Sequence, residues 1–574
     1  MSSSSVSPVF SSNTRNLNMH AQGTNSPTFT PAPLDSFLTL PQLLDRQFEQ
    51  SPHHTAYIYD APGGEIISIS FAQYIRTVYA ACRRILRGTV PHTPIADGQC
   101  PVIGIFAATD SISYCMMVAA TMRAGLVPFC ISPHNAAAGV ADLLEKTGAA
   151  VVYVSADRKE KLAEAFNIWG KKLPVFDVLT FEELQGGLDL EESSEYKSLP
   201  TLPAVIDLDS PGVILHSSGS TSIFSKPGYI SHKMILHYAA DPWSGSEDHC
   251  GEILGGHILP NFHGMGLCLN IWPFSAGLVM AVLRPSTPPI PLTPENALAG
   301  MLATKPNLVM ATPATIESWS QDPAGLKAMQ TLKALSYAGA QLNKRVGDTL
   351  VASGVVLCSA YGAMETGLLM PFFTSYGKDW EYFAVRKEFN AVRVPEDDGS
   401  GLYTHTYLTS PSYATAYTNA EIEGRPGCSV SDLLEQHPDN PDLHRVYGRK
   451  DDLITLSTAA KTNPVSIETQ INRNDLVDAA VIFGNNRPYP GVLIQLKRNF
   501  HAELSDDAKR SKICNILWAS VDTANKTSST HFQIPRKMVV LADPKKPFAL
   551  TSKAQPRRHV VCEDYEDEIR AAYR

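Results

Sequence analysis

Short apolar runs alternate with longer stretches of helical periodicity along most of this chain, and that alternation confines it to sheets covered by helices. From residue 38 the pattern predicts a helix over 40–50, strands over 56–59 and 66–70, and a helix over 71–86. Residues 102–106 read as a strand, 111–123 as an amphipathic helix, 127–131 as a strand, 136–147 as a helix and 150–154 as a strand. Apolar runs at 213–216, 308–311, 332–338 and 355–360 continue the series. A polar turn near 447–452 then precedes strands at 479–483, 491–496 and 538–541 and a helix at 506–521, which read as a small α+β unit.

The expected fold class is therefore α/β, a large N-terminal domain of helix-covered sheets followed by a small C-terminal α+β domain. The division expected is a Ser-, Asn-, Thr- and Pro-rich disordered tail over 1–35, a large domain over 36–446 and a small one over 447–574. A chain of 574 residues exceeds what one compact core accommodates, so more than one domain is required on length alone.

Composition narrows the class. Hydrophobic residues make up 44% and charged residues 18%, as in globular proteins. The formal charge of -9 and the lack of a long basic run argue against nucleic acid and against a membrane surface as partners. No signal-peptide pattern opens the chain, and the runs at 115–120 and 271–283 are too short to span a bilayer, so a cytoplasmic location is expected. The ten cysteines are scattered without a C-x-x-C pair, which reads as reduced, mostly buried thiols.

Ligands of open α/β sheets bind at the carboxyl ends of strands. Two segments stand there. His216-Ser217-Ser218-Gly219-Ser220-Thr221, continued to Lys226, offers hydroxyls, backbone N–H groups and a cation, the donors that a triphosphate requires. Tyr361-Gly362-Ala363-Met364-Glu365-Thr366 places a carboxylate after the strand at 355–360. Further along lie Pro260-Asn261-Phe262-His263-Gly264-Met265-Gly266, Val430-Ser431-Asp432, Gly448-Arg449-Lys450-Asp451-Asp452-Leu453-Ile454 with Lys461-Thr462-Asn463-Pro464 and Glu468, and Pro547-Phe548-Ala549-Leu550-Thr551-Ser552-Lys553-Ala554. Singly each has a plainer reading: a flexible serine loop, a hydrogen-bonded loop histidine, an Asp that caps a turn, a surface lysine.

Together, in this order, they resemble the adenylate-forming superfamily, with its acyl-CoA synthetase-like fold, and most closely the adenylation domains of fungal nonribosomal-peptide-synthetase-like carboxylic acid reductases, including aminoadipate reductase. The resemblance runs from Leu38 to Ile569. It implies ATP and Mg2+ as cofactors, with Ser217, Ser218, Gly219, Ser220, Thr221 and Lys226 around the phosphates, Tyr361 beside the nucleotide, Asp432 on the ribose hydroxyls and Arg449 on the nucleotide. Glu365 would be the metal ligand, His263 the gate of an acid-binding tunnel, Asp451 the hinge of a mobile small domain, and Lys553 the cation that stabilises charge at the α-phosphate. The substrate implied is a small carboxylic acid. Amino-acid-activating relatives place an aspartate just after the Phe of the gate segment; His263 and Gly264 stand there instead, which favours an aryl or aliphatic acid because a desolvated ammonium needs a carboxylate partner. The acyl acceptor implied is CoA or a phosphopantetheine thiol, with a separate carrier protein or reductase as partner.

The sequence also departs from the family pattern. Ser222, Met364, Ser431, Ala459, Ala460 and Ala554 replace family residues, and Lys226 sits one residue late. The competing reading is an adenylate-forming fold that no longer adenylates and serves as a binding module or a repurposed enzyme. Retention of Glu365, Asp432, Arg449 and Lys553 favours the enzyme.

Overall fold

The computed structural model describes residues 19–33, 38–88, 100–185, 202, 207–216, 225–396, 399–410, 413–457, 461–527, 532–551 and 555–574. Two large sheets form the body. One runs Val175–Asp177, Val151–Val154, Val102–Phe106, Val127–Ile131, Pro211–His216, Pro227–Ser231, parallel except for the last pair. The other runs Leu357–Ser359, Ala334–Tyr337, Leu308–Ala311, Ile253–Gly255, Val279–Ala281, Thr55–Asp60, Ile66–Ser70, again parallel until its final antiparallel strand. The α/β class expected from the alternation is what the chain adopts.

Helix Ser111–Arg123 departs from expectation. It was to be amphipathic, yet all of its residues are buried, because helices Leu40–Gln50, Phe71–Gly88 and Gly264–Ala276 and strands Val127–Ile131 and Pro211–His216 of the first sheet pack around it. Its terminal cation is stabilised by Asp45, whose Oδ1 lies 3.1 Å from Arg123 Nε. The apolar run 271–283 resolves into the end of helix Gly264–Ala276 and strand Val279–Ala281, both buried. No described helix is long and apolar enough to cross a membrane.

The expected tail over 1–35 is not free over 19–33. Gln22 is buried and donates through Nε2 to the Glu247 carbonyl at 2.8 Å, and Phe29 enters the main core. Polar composition misled here because the Gln22 side chain satisfies the Glu247 carbonyl and the His249 amide, while the Gly23 amide donates to the Asp248 carboxylate.

A third, antiparallel sheet went unread in the sequence. Its order is Phe383–Ala384, Leu443–Arg449, Asp432–Gln436, Tyr403–Leu408, Arg425–Ser429, Ala420–Ile422, with Ala391–Pro395 also on Tyr403–Leu408. Strand Leu443–Arg449 stays paired to its end, Arg449 opposite Asp432, so the change of sheet falls after Arg449 rather than after residue 446. Beyond the turn Lys450–Asp452, strands Val477–Phe483, Gly491–Leu496 and Val539–Leu541 pack with helices Pro464–Ile471, Asp507–Thr527 and Arg558–Asp564 around a separate core. That is the small α+β domain.

Candidate functional site

Glu365 sits at the tip of a tight hairpin between Gly362–Ala363 and Gly367–Leu368. The hairpin needs its glycines: a Cβ on Gly362 would lie 2.3 Å from the Gly367 carbonyl, and Gly367 adopts φ 75°. Tyr361, at the hairpin's root, stacks on Phe383 with ring centroids 4.4 Å apart and donates its hydroxyl to Asp432 Oδ2 at 3.2 Å. Burial pushes the Tyr361 hydroxyl well up, with Tyr407 and then Asp432 adding to it, so it remains a donor. Asp432 opens its strand opposite the exposed Arg449, and Lys450 N donates to the Ser431 carbonyl at 2.7 Å.

Glu365 has a neighbour that the sequence did not indicate. The Tyr417 hydroxyl donates to Glu365 Oε1 at 3.2 Å. Burial first, then Glu365 and Cys428, raise the Tyr417 pKa, while the Arg449 guanidinium acts the other way, which places Arg449 within electrostatic reach of this pair. Burial and the Glu365 carboxylate push the Cys428 thiol up to about 12. Asp432, Glu365 and Arg449 thus share one neighbourhood, organised by Tyr361 and Tyr417.

The hairpin of strands Pro211–His216 and Pro227–Ser231 abuts it. Strands Pro211–His216 and Pro227–Ser231 pair with His216 opposite Pro227, and the Ser132 amide donates to His216 Nε2 at 2.9 Å, anchoring the point of departure. Ser217, Ser218, Gly219, Ser220 and Thr221 lie outside the described residues; Lys226 is exposed at the returning end. Met364 joins this hairpin to the Glu365 turn, since a Cβ on Gly228 would lie 2.5 Å from Met364 Cε. The thioether therefore fills the space between strand Pro227–Ser231 and the Glu365 turn.

His263 is the N-cap residue of helix Gly264–Ala276 and its half-buried ring packs on Phe262, centroids 4.7 Å apart. The turn before it is tight enough that a Cβ on Gly266 would stand 2.2 Å from the Pro260 carbonyl. Tyr238 ties this helix to the Glu365 hairpin: its hydroxyl is 3.3 Å from where a Gly264 Cβ would be, and its ring 3.7 Å from the same position on Gly367. His263 and Glu365 are thus carried on elements that share one bridging side chain.

In the small domain, Asn463 Nδ2 donates to the Tyr447 carbonyl at 2.5 Å and so spans the junction. Glu468 of the same motif is structural. It pairs with Arg558 through Oε2 at 2.8 Å and accepts from the Ile482 amide at 2.6 Å. Asp451 lies in the turn Lys450–Asp452, its side chain outside the described set, and Lys553 lies outside the described residues altogether. Tyr238 and Tyr417 were invisible to motif reading, for their partners are remote in sequence.

Two α/β sheets, a third antiparallel sheet and a small trailing domain, with the Glu365 hairpin packed through Met364 on strand Pro227–Ser231, define an adenylate-forming type of enzyme fold. The chain belongs to the AMP-binding enzyme family: residues 44–388 match it, and residues 451–574 match the AMP-binding enzyme C-terminal domain. An adenylate-forming reductase of Heterobasidion annosum is 34% identical over 96% of this chain and 51% of its own length. The chain spans about half the length of such curated relatives. Among solved structures, the A domain of carboxylic acid reductase from Segniliparus rugosus, in complex with AMP and a co-purified carboxylic acid, superposes with TM-score 0.67 at 12% identity, covering 98% of each chain. O-succinylbenzoate coenzyme A synthetase from Bacillus subtilis, in complex with ATP and magnesium, gives 0.65 at 14% identity, covering 90% of this chain and 98% of that one. At those identities the likeness is one of fold.

Proposed function

We propose that this chain uses ATP to activate a carboxylic acid as its acyl adenylate, releasing pyrophosphate. The observation that carries this reading is the gathering of Asp432, Glu365 and Arg449 around Tyr361 and Tyr417, on a turn packed through Met364 against strand Pro227–Ser231. A half-buried carboxylate oriented by a tyrosine hydroxyl, as Asp432 is by Tyr361, supports a role on the vicinal diol of a ribose. Arg449 would then lie along the nucleotide.

Glu365 suits a hard cation that draws its remaining ligands from phosphate oxygens and water, for its Oε2 takes no hydrogen bond among the described residues and no three-residue cage of His, Cys, Asp or Glu surrounds it there. When bound, Mg2+ would neutralise charge as pyrophosphate leaves. In the reaction an oxygen of the acid's carboxylate attacks the α-phosphorus, the bond from that phosphorus to the bridging oxygen of pyrophosphate breaks, and acyl-AMP and pyrophosphate result. Lys553 would hold the charge that builds on the α-phosphate oxygens, and the serines of 217–221 with Lys226 would hold the departing phosphates.

His263 and Gly264 in the gate segment, with no carboxylate beside them in sequence, support an aryl or aliphatic acid over an α-amino acid. The acyl group would pass to a thiol, on a carrier protein or CoA, with the small domain turning about Asp451 between the two steps. Acid-dependent exchange of labelled pyrophosphate into ATP tests the reading: exchange with some member of an aryl and aliphatic panel is expected. Silence across the panel in a folded preparation that also binds no ATP would support the competing reading of a fold that has lost adenylation.

A further inference from the structure

The stretch from Tyr413 to Asn419 lies along the Glu365 turn and is tied to it at three successive points. The Tyr413 hydroxyl donates to the Thr366 carbonyl at 3.1 Å, the Ala416 amide to the Glu365 carbonyl at 2.9 Å, and the Tyr417 hydroxyl to Glu365 Oε1 at 3.2 Å. At its far end the Asn419 side chain donates to the Ser429 carbonyl at 3.0 Å and accepts the Ser429 amide at 2.7 Å, on the strand that leads to Ser431 and Asp432. The first two contacts fix backbone. The third fixes a carboxylate rotamer.

Burial does not explain Tyr417, which is 43% exposed and sits outside the main core clusters. What its ring achieves is to carry a hydroxyl to one oxygen of a half-buried glutamate that would otherwise sample several rotamers in water. Oε1 is engaged, and Oε2 makes no hydrogen bond or ion pair among the described residues. A carboxylate held by one oxygen and open at the other is the arrangement by which an outer hydrogen bond orients a metal ligand.

We propose that Tyr417 is a positioning residue that presents Glu365 to the divalent cation accompanying ATP. This rests on the nucleotide reading above. The Tyr413 and Ala416 contacts hold the turn, while the Tyr417 hydroxyl selects the carboxylate orientation and leaves Oε2 toward the ion.

The test is calorimetric ATP affinity of the full chain, with Mg2+ and with EDTA, for wild type, Tyr417→Phe, Glu365→Gln and the double variant. Mg2+ is expected to tighten ATP binding to wild type. Tyr417→Phe should shrink that enhancement by about tenfold, the usual loss when an outer-shell partner is removed, with metal-free affinity unchanged. Glu365→Gln should abolish the enhancement, and Tyr417→Phe should then add nothing. A general disturbance would lower both affinities in step, and that result overturns the proposal, as does a Tyr417→Phe chain with the full enhancement. A wild type that binds no ATP under either condition overturns the nucleotide reading and this proposal together.

Discussion

Tyr361 holds Asp432 in place: its hydroxyl donates to Asp432 Oδ2 across 3.2 Å while its ring lies stacked on Phe383. A side chain at the root of the Glu365 hairpin thereby sets the orientation of a carboxylate on the third sheet. If Asp432 grips the ribose, Asp432→Asn should weaken ATP binding about tenfold to a hundredfold, the cost of losing charge-assisted hydrogen bonds. Tyr361→Phe removes one neutral donor and should cost about tenfold or less. Calorimetric ATP titration distinguishes the two steps.

Lys553 stands in the 547–554 motif, where the resemblance puts the cation on the α-phosphate. Lys553→Ala should slow adenylate formation by about 10² to 10³ while leaving ATP affinity nearly intact, since it acts on charge that builds only in the transition state. Pyrophosphate exchange and ATP titration on the same preparation measure both. Unchanged turnover would remove Lys553 from the site.

Met364 occupies the gap between the Gly228 strand and the Glu365 turn. Gly228→Ala would place a methyl group 2.5 Å from Met364 Cε and must push the thioether away. Because the contact is with the flexible end of a methionine that can swing aside, the cost should be about 1 kcal/mol, the low end for overpacking, with a modest fall in exchange. Adding Met364→Ala to Gly228→Ala should recover part of the loss in thermal stability and in exchange rate. No recovery would mean that Gly228 is constrained by something else.

How far the sequence revealed this molecule depends on where each signal lives. The parallel strands were legible because a strand buried on both faces is a continuous apolar run, as at Val102–Phe106 and Val127–Ile131. Helix Ser111–Arg123 carries Ser, Cys, Ala, Thr and Arg among its apolar residues, and this mixture mimics an amphipathic pattern although every position is enclosed. The third sheet was hidden for a related reason: Tyr403–Leu408 alternates aromatic and polar residues, yet Thr404, His405 and Thr406 are buried too. Glu365, Asp432 and Arg449 could be found because they sit in contiguous motifs. Tyr417 and Tyr238 could not, since each acts on a residue far away in sequence.

His405 makes the fold sensitive to acid. Burial, then His444 and Arg393, lower its pKa to about 4. In the unfolded chain the imidazole returns to about 6.5, so between about 6.5 and about 4 the unfolded state binds the extra proton. Stability from this group is full above that window and falls as pH drops through it, by on the order of 3 kcal/mol at the acid end. Urea denaturation at a series of pH values should show the midpoint falling below about pH 6.5. His405→Asn should reduce that slope, with the remainder carried by His257, which burial also lowers to about 4.

Glu468 and Arg558 link the helix after the junction to the helix beyond residue 554. Glu468→Ala leaves the part-buried Arg558 guanidinium with the Ile482 carbonyl but without its carboxylate and should destabilise the small domain by about 3 kcal/mol, the low end for a broken buried pair. A separate early transition in urea, lacking in wild type, is the expected sign.

The central claim concerns where ATP is broken, and a single turnover without thiol tests it most directly. Chain, Mg-ATP and a responsive acid, quenched and analysed by mass spectrometry, should yield acyl-AMP and pyrophosphate in equal amounts, bound at no more than one adenylate per chain. Formation of ADP and phosphate instead, or full retention of ATP with every acid in a folded chain, would contradict it.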